Sequence, residues 1–220
     1  GHSGITLDAG PSNTVIQNNT VSGNDIWGID LEGAGQAVTG TQILGNVVGL
    51  DDNGDVLRRG TLDYIGDAPG LVNIGPVERG NLAGGVRVSS SPGTVLAGNT
   101  ISGNRANGIL LEGATVAPAT VVRGNIIGLD PSGTAERGNV DGVTVETSNV
   151  LIGGTSVADR NIISGNISDG VSVASGDGSR IEGNYVGPDA SGTTAFGNGV
   201  FFGPTDPGCC HTGIFVGGAT

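Results

Sequence analysis

Lysine and methionine are absent from this chain of 220 residues, and only seven of its residues are aromatic. All nine basic residues are arginine, against 21 acidic residues, which gives a net charge of −12. An acidic chain that lacks a basic stripe is a poor binder of nucleic acid, and an anionic membrane surface repels it. No apolar run approaches the roughly 18 residues that a membrane-spanning helix needs. We therefore expect neither a nucleic-acid partner nor membrane insertion.

Two further shortages concern the fold. The chain has too few long helix-forming residues for a helical bundle, and its 44 glycines lack the three-residue period of collagen. Its only cysteines, Cys209 and Cys210, are adjacent, so they cannot close a loop that staples the fold. The pair forms a strained local disulfide, or cross-links to another chain, or consists of two incidental thiols. The sequence leaves these alternatives open.

The chain is rich in internal repetition. Thirteen of 22 positions are identical between residues 13–34 and residues 93–114, at an offset of 80. Residues 77–84 match residues 157–164 at the same offset. The last ten residues also echo the first ten, so we expect the chain to be a slice of a longer repeat array.

A four-residue pattern recurs within each block: glycine, then Ile or Val, a variable residue, and an aliphatic residue. Because the two aliphatic positions alternate with a variable one, the pattern predicts short strands with one buried face. It begins at seven glycines, Gly4, Gly28, Gly85, Gly108, Gly142, Gly170 and Gly213.

A second pattern places an asparagine between two aliphatic residues, where the chain must bend between short strands. Glycine often precedes this asparagine, and both residue types tolerate the left-handed backbone of a tight turn. Stacked side-chain amides can bond to one another and so satisfy polar groups buried at a bend. We predict a structural asparagine ladder of Asn19, Asn46, Asn99, Asn125 and Asn184.

Repeat units this short can bury their aliphatic residues only against their neighbours. The predicted strands are too short for independent hairpin sheets, whereas strands that stack in parallel on successive coils form a continuous core. We therefore predict an all-β fold, a parallel β-helix (β-solenoid) of roughly nine coils, with residues 1–220 in one domain. This fold requires Ile29, Val86, Ile109 and Val171 to lie in register on stacked coils.

Three longer motifs are NVLIGGT at 149–155, RNIISGN at 160–166 and GNIIGLDPSGT at 124–134. With them the chain resembles repeats of the pectate-lyase-like superfamily. More narrowly, it is similar to bacterial extracellular arrays with the repeats Asn-x-Ile-Gly-Gly-Thr, Arg-Asn-x-Ile-Ser-Gly-Asn and Gly-Asn-x-Ile-Gly-x-Asp-x-x-Gly-Thr. The resemblance implies a right-handed, single-stranded β-helix and an extracellular or cell-surface location. It does not select a function, because the superfamily includes lyases, hydrolases, adhesins and inert stalks.

One segment is a candidate for chemistry. Paired carboxylates can act as acid and base in glycoside cleavage, which would make Asp51, Asp52, Arg58 and Arg59 the site. Carboxylates beside an arginine also resemble, loosely, the calcium-plus-arginine site of pectate lyases.

Two other interpretations compete for this segment. Asp51, Asn53 and Asp55 offer oxygen atoms at alternating positions, as calcium loops do, but the glycine and the glutamate that complete such a loop are absent. Alternatively, Asp51-x-x-Gly54 is a tight turn that recurs at 130–133 and 189–192, where the other acids are mostly missing. We favour the turn, and so predict no catalytic residue, no resident metal and no cofactor.

Departures from the repeat are scattered, except around residues 51–59 and 196–210. Scattered departures are typical of a stalk, whereas an enzyme concentrates them around one groove. We therefore expect a structural module without catalytic activity, such as a stalk, an adhesin-like rod or a filament-forming subunit. Its expected partners are further coils of the same array or copies of the chain placed end to end. The alternatives are a polysaccharide lyase or hydrolase and a non-catalytic carbohydrate-binding β-helix, whose partner would be polysaccharide.

Overall fold

The short strands of the chain stack into a right-handed parallel β-helix built from three parallel sheets. The computed structural model describes residues 1–10, 12–33, 38–56, 80–113, 117–199 and 212–217. Each complete coil contributes one strand to each sheet, and each strand pairs with its equivalent on the next coil. The predicted fold class is confirmed.

The strands are as follows. Sheet A contains β1 (Ile5–Asp8), β4 (Trp27–Glu32), β7 (Gly84–Ser89), β10 (Asn107–Glu112), β13 (Val143–Glu146), β16 (Val171–Ser175) and β19 (Ile214–Val216). Sheet B contains β2 (Val15–Gln17), β5 (Gln42–Leu44), β8 (Val95–Ala97), β11 (Thr120–Arg123), β14 (Val150–Gly153) and β17 (Arg180–Glu182). Sheet C contains β3 (Thr20–Val21), β6 (Val47–Val48), β9 (Thr100–Ile101), β12 (Ile126–Ile127), β15 (Ile162–Ile163) and β18 (Tyr185–Val186).

The aliphatic residues that the fold requires to be in register are in register. Ile29 pairs with Val86 and Val86 with Ile109, and Val143 then joins Ile109 to Val171. All five side chains are completely buried. Burial of such a side chain contributes about 1.5–3 kcal/mol, so the stacked interior is the main source of stability.

The strand pairing gives the number of coils in the described part of the chain. The described strands form six complete coils and the first strand of a seventh, so the expected count of roughly nine is not confirmed. One reason is that β4 pairs directly with β7, and β6 with β9, although a long stretch of sequence separates them.

Odd and even coils differ at the corner between sheets C and A. On odd coils the strand of sheet C is followed at once by Ser-Gly-Asn, at 22–24, 102–104 and 164–166. On even coils it is followed by a loop closed by an antiparallel bridge: Leu50 with Val56, Leu129 with Glu136, and Pro188 with Ala195. The repeating unit is therefore a pair of coils, which explains why the sequence offset of 80 joins β2 to β8, two coils apart.

Helical structure is minimal in the described ranges. They contain a single turn of 3-10 helix, Val157–Asp159, between β14 and β15. No helix in these ranges is long and apolar enough to cross a membrane.

Candidate functional site

The loop after β6 contains the predicted candidates for chemistry, and it is a turn closed by Asp51. Oδ1 of Asp51 accepts hydrogen bonds from the backbone N–H groups of Asn53 and Asp55, both at 2.9 Å. Its carbonyl oxygen accepts another from Gly54 at 3.1 Å. The bonds from Asp55 and Asn53 hold the pKa of the Asp51 carboxyl below its ordinary value. The carboxyl group of Asp51 therefore caps a tight turn.

The same turn recurs on the next two even coils. Oδ1 of Asp130 accepts hydrogen bonds from the backbone N–H groups of Thr134 and Ala135, at 2.8 and 2.9 Å. Oδ1 of Asp189 accepts the equivalent bonds from Thr193 and Thr194, at 3.0 and 3.1 Å. Ser132 and Ser191 add a hydroxyl donor to each carboxylate, at 2.6 and 2.7 Å. The Ser191 hydroxyl and the backbone donors lower the pKa of Asp189 to about 2. Partial burial opposes the shift at Asp130, but its hydrogen bonds outweigh it and lower that pKa as well.

These three loops, 51–56, 130–136 and 189–195, form what we call the loop column, in which the second loop contacts the third and Arg137, directly after the second loop, contacts the first. The backbone N–H of Ala190 donates to the carbonyl oxygen of Gly133 at 3.1 Å. Nε of Arg137 donates to the carbonyl oxygen of Gly54 at 3.2 Å, and its Nη2 lies 2.8 Å from Oδ1 of Asp55. The turn thus occurs three times, and contacts between neighbouring copies join the even coils.

The remaining acids of the first loop have partners of their own. Oδ1 of Asp52 accepts a hydrogen bond from the Thr20 hydroxyl at 2.6 Å, and Asp55 pairs with the guanidinium group just described. Asp52 and Asp55 are therefore each bound to a different coil, while the catalytic and calcium interpretations of this loop stay predictions. Arg58 and Arg59 lie outside the described residues. Within the described ranges, no group of three or more His, Cys, Asp or Glu side chains is placed to hold a metal ion.

The outer face of sheet A holds a charge cluster that the sequence patterns did not single out. Arg87 lies at its centre, with Nη1 2.6 Å from Oε1 of Glu32 and 3.4 Å from Oδ1 of Asp30, and with Nε 2.7 Å from Oε1 of Glu112. The four residues come from the adjacent strands β4, β7 and β10. The available signal was weak, since Asp30 and Arg87 are both variable positions whose pairing appears only when the register is known.

Burial makes this cluster interdependent. Asp30 is only 5% exposed, and burial raises the pKa of its carboxyl, although the nearby Arg87 opposes the shift. Burial lowers the pKa of Arg87, but its hydrogen bonds to Glu112 and Glu32 outweigh this and raise it above the ordinary value. The guanidinium group is thus committed to three carboxylates of its own sheet, and it ties three coils together.

The predicted asparagine ladder exists at the corner between sheets B and C, and it has six members. In the first five members, Nδ2 donates to Oδ1 of the asparagine on the next coil at 2.8–3.0 Å, and the same oxygen accepts the backbone N–H of that donor residue. From the second coil onward, Nδ2 also donates to a main-chain carbonyl of the preceding coil. The members are Asn19, Asn46, Asn99, Asn125, Asn161 and Asn184.

The sequence pattern did not identify Asn161, because the 3-10 turn Val157–Asp159 lengthens the corner between β14 and β15. The residue three positions before Asn161 is consequently Ala158, where the pattern requires a larger aliphatic residue.

A second ladder, which the sequence patterns missed, occupies the corner between sheets C and A. Its Nδ2 to Oδ1 distances are 2.7–3.1 Å, and its oxygens likewise accept backbone N–H groups. A signal was present, because glycine precedes every member. The members are Asn24, Asn81, Asn104, Asn139, Asn166 and Asn198.

This second ladder corrects one part of the repeat alignment. The match between 77–84 and 157–164 superimposes Asn81 on Asn161, but Asn81 belongs to the second ladder and Asn161 to the first. The two segments are therefore not structurally equivalent at this residue.

The cysteine pair, Cys209 and Cys210, lies outside the described residues. The three alternatives for its chemistry stay open.

Comparisons of the chain with protein-family models, with curated proteins and with solved structures find no match. The parallel β-helix is shown by the strand pairing, whereas membership of the pectate-lyase-like superfamily stays a prediction.

Proposed function

We propose that this chain is an extracellular structural repeat module, a segment of a rod or stalk without catalytic activity. The observation that carries the proposal is the pair of asparagine ladders, which run through all six complete coils along two of the three corners. In such a ladder each interior amide bonds to both neighbouring coils, so no interior rung can shift without breaking bonds on two sides. This construction supports a stiff, linear spacer.

The charged residues support the same proposal. An active site is a unique constellation, yet the turn of Asp51 is repeated at Asp130 and Asp189 with equivalent hydrogen bonds. The guanidinium of Arg87 is held by carboxylates of its own sheet, which compete with any anionic ligand. These side chains strengthen contacts between coils.

The partners that we propose are further coils of a longer array or a second copy end to end. Among the described strands, β1, β2 and β3 at one end and β17, β18 and β19 at the other have a neighbour on one side only. The amide-to-amide hydrogen bonds of the first ladder also all run in one direction. Among described residues nothing donates to Oδ1 of Asn19, while Asn184 would direct amide N–H groups to a following coil. Open strand edges of this kind favour pairing with another coil. The extracellular location rests on the resemblance of the repeat motifs alone.

Electron microscopy of the negatively stained, purified chain tests the structural role. We expect straight rods or end-to-end assemblies, and no loss of viscosity when the chain is incubated with neutral or uronate polysaccharides. Asp52→Asn and, as a control outside the loop column, Asp177→Asn should behave alike. Compact particles that degrade a polysaccharide, with activity lost in Asp52→Asn and kept in Asp177→Asn, would overturn the proposal.

A further inference from the structure

Three asparagines in the chain are followed directly by glycine: Asn53, Asn107 and Asn198. Asparagine in this context is chemically labile, because glycine offers little steric hindrance to ring closure. The glycine backbone nitrogen attacks the side-chain carbon Cγ, ammonia leaves, and a five-membered succinimide forms. Water then opens the ring to aspartate or to isoaspartate, whose main chain runs through the side-chain carbons.

The fold holds two of these asparagines in place. Nδ2 of Asn198 donates to the carbonyl oxygen of Ile163 at 2.9 Å, and its Oδ1 accepts Nδ2 of Asn166 at 2.9 Å. The backbone nitrogen of Gly199, which would attack, donates to Asn166 at 3.0 Å. Ring closure at Asn198 therefore requires the second ladder to open.

Asn107 is protected by the sheet. It lies in β10, and the backbone nitrogen of Gly108 donates to the carbonyl oxygen of Asp141 on the next coil at 2.7 Å. The extended strand keeps this nitrogen engaged between coils, so ring closure requires the strand to detach.

Asn53 differs from both. It is exposed on the loop column, and no described residue of another coil forms a hydrogen bond with its side chain. The backbone nitrogen of Gly54 donates only within the same loop, to Asp51 at 3.1 Å. A local opening of this loop, which also releases the contacts of Gly54 and Asp55 with Arg137, frees both reacting groups and leaves the ladders and the sheets intact.

We propose that Asn53 is a site of spontaneous deamidation in the folded protein, with water as the co-reactant and ammonia as the leaving product. The change adds one carboxylate to a loop that already contains Asp51, Asp52 and Asp55. Isoaspartate also inserts an extra carbon into the main chain, which displaces the N–H groups that Asp51 binds. The modified loop should consequently lose its contact with Arg137.

The test compares the full chain when folded and when unfolded. Both samples are kept at mildly alkaline pH, one in buffer and one in concentrated guanidinium chloride, and peptide mass spectrometry follows the three asparagines over time. In the folded sample we expect Asn53 to deamidate more than about tenfold faster than Asn107 or Asn198, since their reactions require several hydrogen bonds between coils to break. In denaturant the three rates should converge.

Two results would overturn the proposal. One is a folded sample in which Asn53 reacts no faster than the protected pair. The other is a denatured sample in which Asn53 still deamidates faster than Asn107 and Asn198, which would show that the difference in rate comes from the neighbouring residues and not from the fold. Asn53→Gln serves as the control variant, because it should remove the fast phase from the intact mass and leave the slow sites unchanged.

Discussion

Replacing Asn125 by alanine removes the central rung of the first ladder. Four hydrogen bonds are lost: two in which Nδ2 donates, to Leu96 and to Asn161, and two in which Oδ1 accepts, from the backbone nitrogen and Nδ2 of Asn99. Each of these distances is 2.9 or 3.0 Å, and Asn125 is fully buried. Water therefore cannot replace the missing partners without a change of structure.

The expected cost follows from the groups left unpaired. The backbone N–H and one amide hydrogen of Asn99 and one acceptor position on Leu96 lose their partners in the interior. Each buried unsatisfied group costs about 1–3 kcal/mol, so the loss of three partners in Asn125→Ala should lower the free energy of unfolding by about 3–9 kcal/mol. Asn19→Ala is the matched control, because this exposed end rung loses only its donations to Asn46 and Gln17, with an expected cost of about 1 kcal/mol.

Urea unfolding followed by far-ultraviolet circular dichroism measures the difference. The comparison should use midpoints as well as extrapolated free energies, because long repeat arrays can lose two-state behaviour. If Asn125→Ala shifts the midpoint no further than Asn19→Ala does, the ladder is not a principal stabilising element and the argument for a stiff rod fails.

Three further changes test other parts of the structure. Gly84→Ala should lower the urea midpoint more than Gly98→Ala does. Gly84 has a φ of +142° and an added Cβ would meet the single tryptophan, whereas Gly98 has a φ of +66° and an added Cβ would face open space. Equal shifts of the midpoint would contradict this. Acidification should weaken the loop column, because the pKa of Asp189 is about 2 in the folded chain and about 3.9 in the unfolded chain. The carboxylate of Asp189 therefore stabilises the fold fully above the unfolded pKa, and this stabilisation is lost as the pH falls through the folded pKa. Thermal unfolding against pH checks this, and Asp189→Asn should flatten the acid limb. Arg87→Leu should cost more at neutral pH than in mild acid, because it leaves the buried carboxylate of Asp30 without its cation; a loss independent of pH would refute the assignment.

The interior of the β-helix could be predicted from the sequence because each rung repeats the same local demand. Ile29, Val86 and Ile109 follow glycine and alternate with variable residues, and this period of two is a property of the strand itself. The capping role of Asp51 could be predicted for the same reason, since its hydrogen bonds reach no further than Asp55.

The second ladder follows the first at two recurring spacings, which the sequence patterns did not use. Its asparagine follows that of the first ladder by five residues on every odd coil, and by 14 on the even coils of Asn125 and Asn184. The coil of Asn46 breaks this regularity, because Asn81 follows Asn46 by 35 residues. The recurring Gly-Asn pair was the signal that survived this variation.

Periodicity and composition alone were enough to specify a stacked coil, its aliphatic core, one asparagine ladder and the tight turn at Asp51, because all of these depend on residues close together in sequence. Only the tertiary structure showed the alternation of the coils in pairs, the second ladder and the cluster around Arg87. These features depend on which coil lies beside which, and the register between coils is set by the packing of the whole interior. Asp30 and Arg87 are neighbours only after the coil has closed.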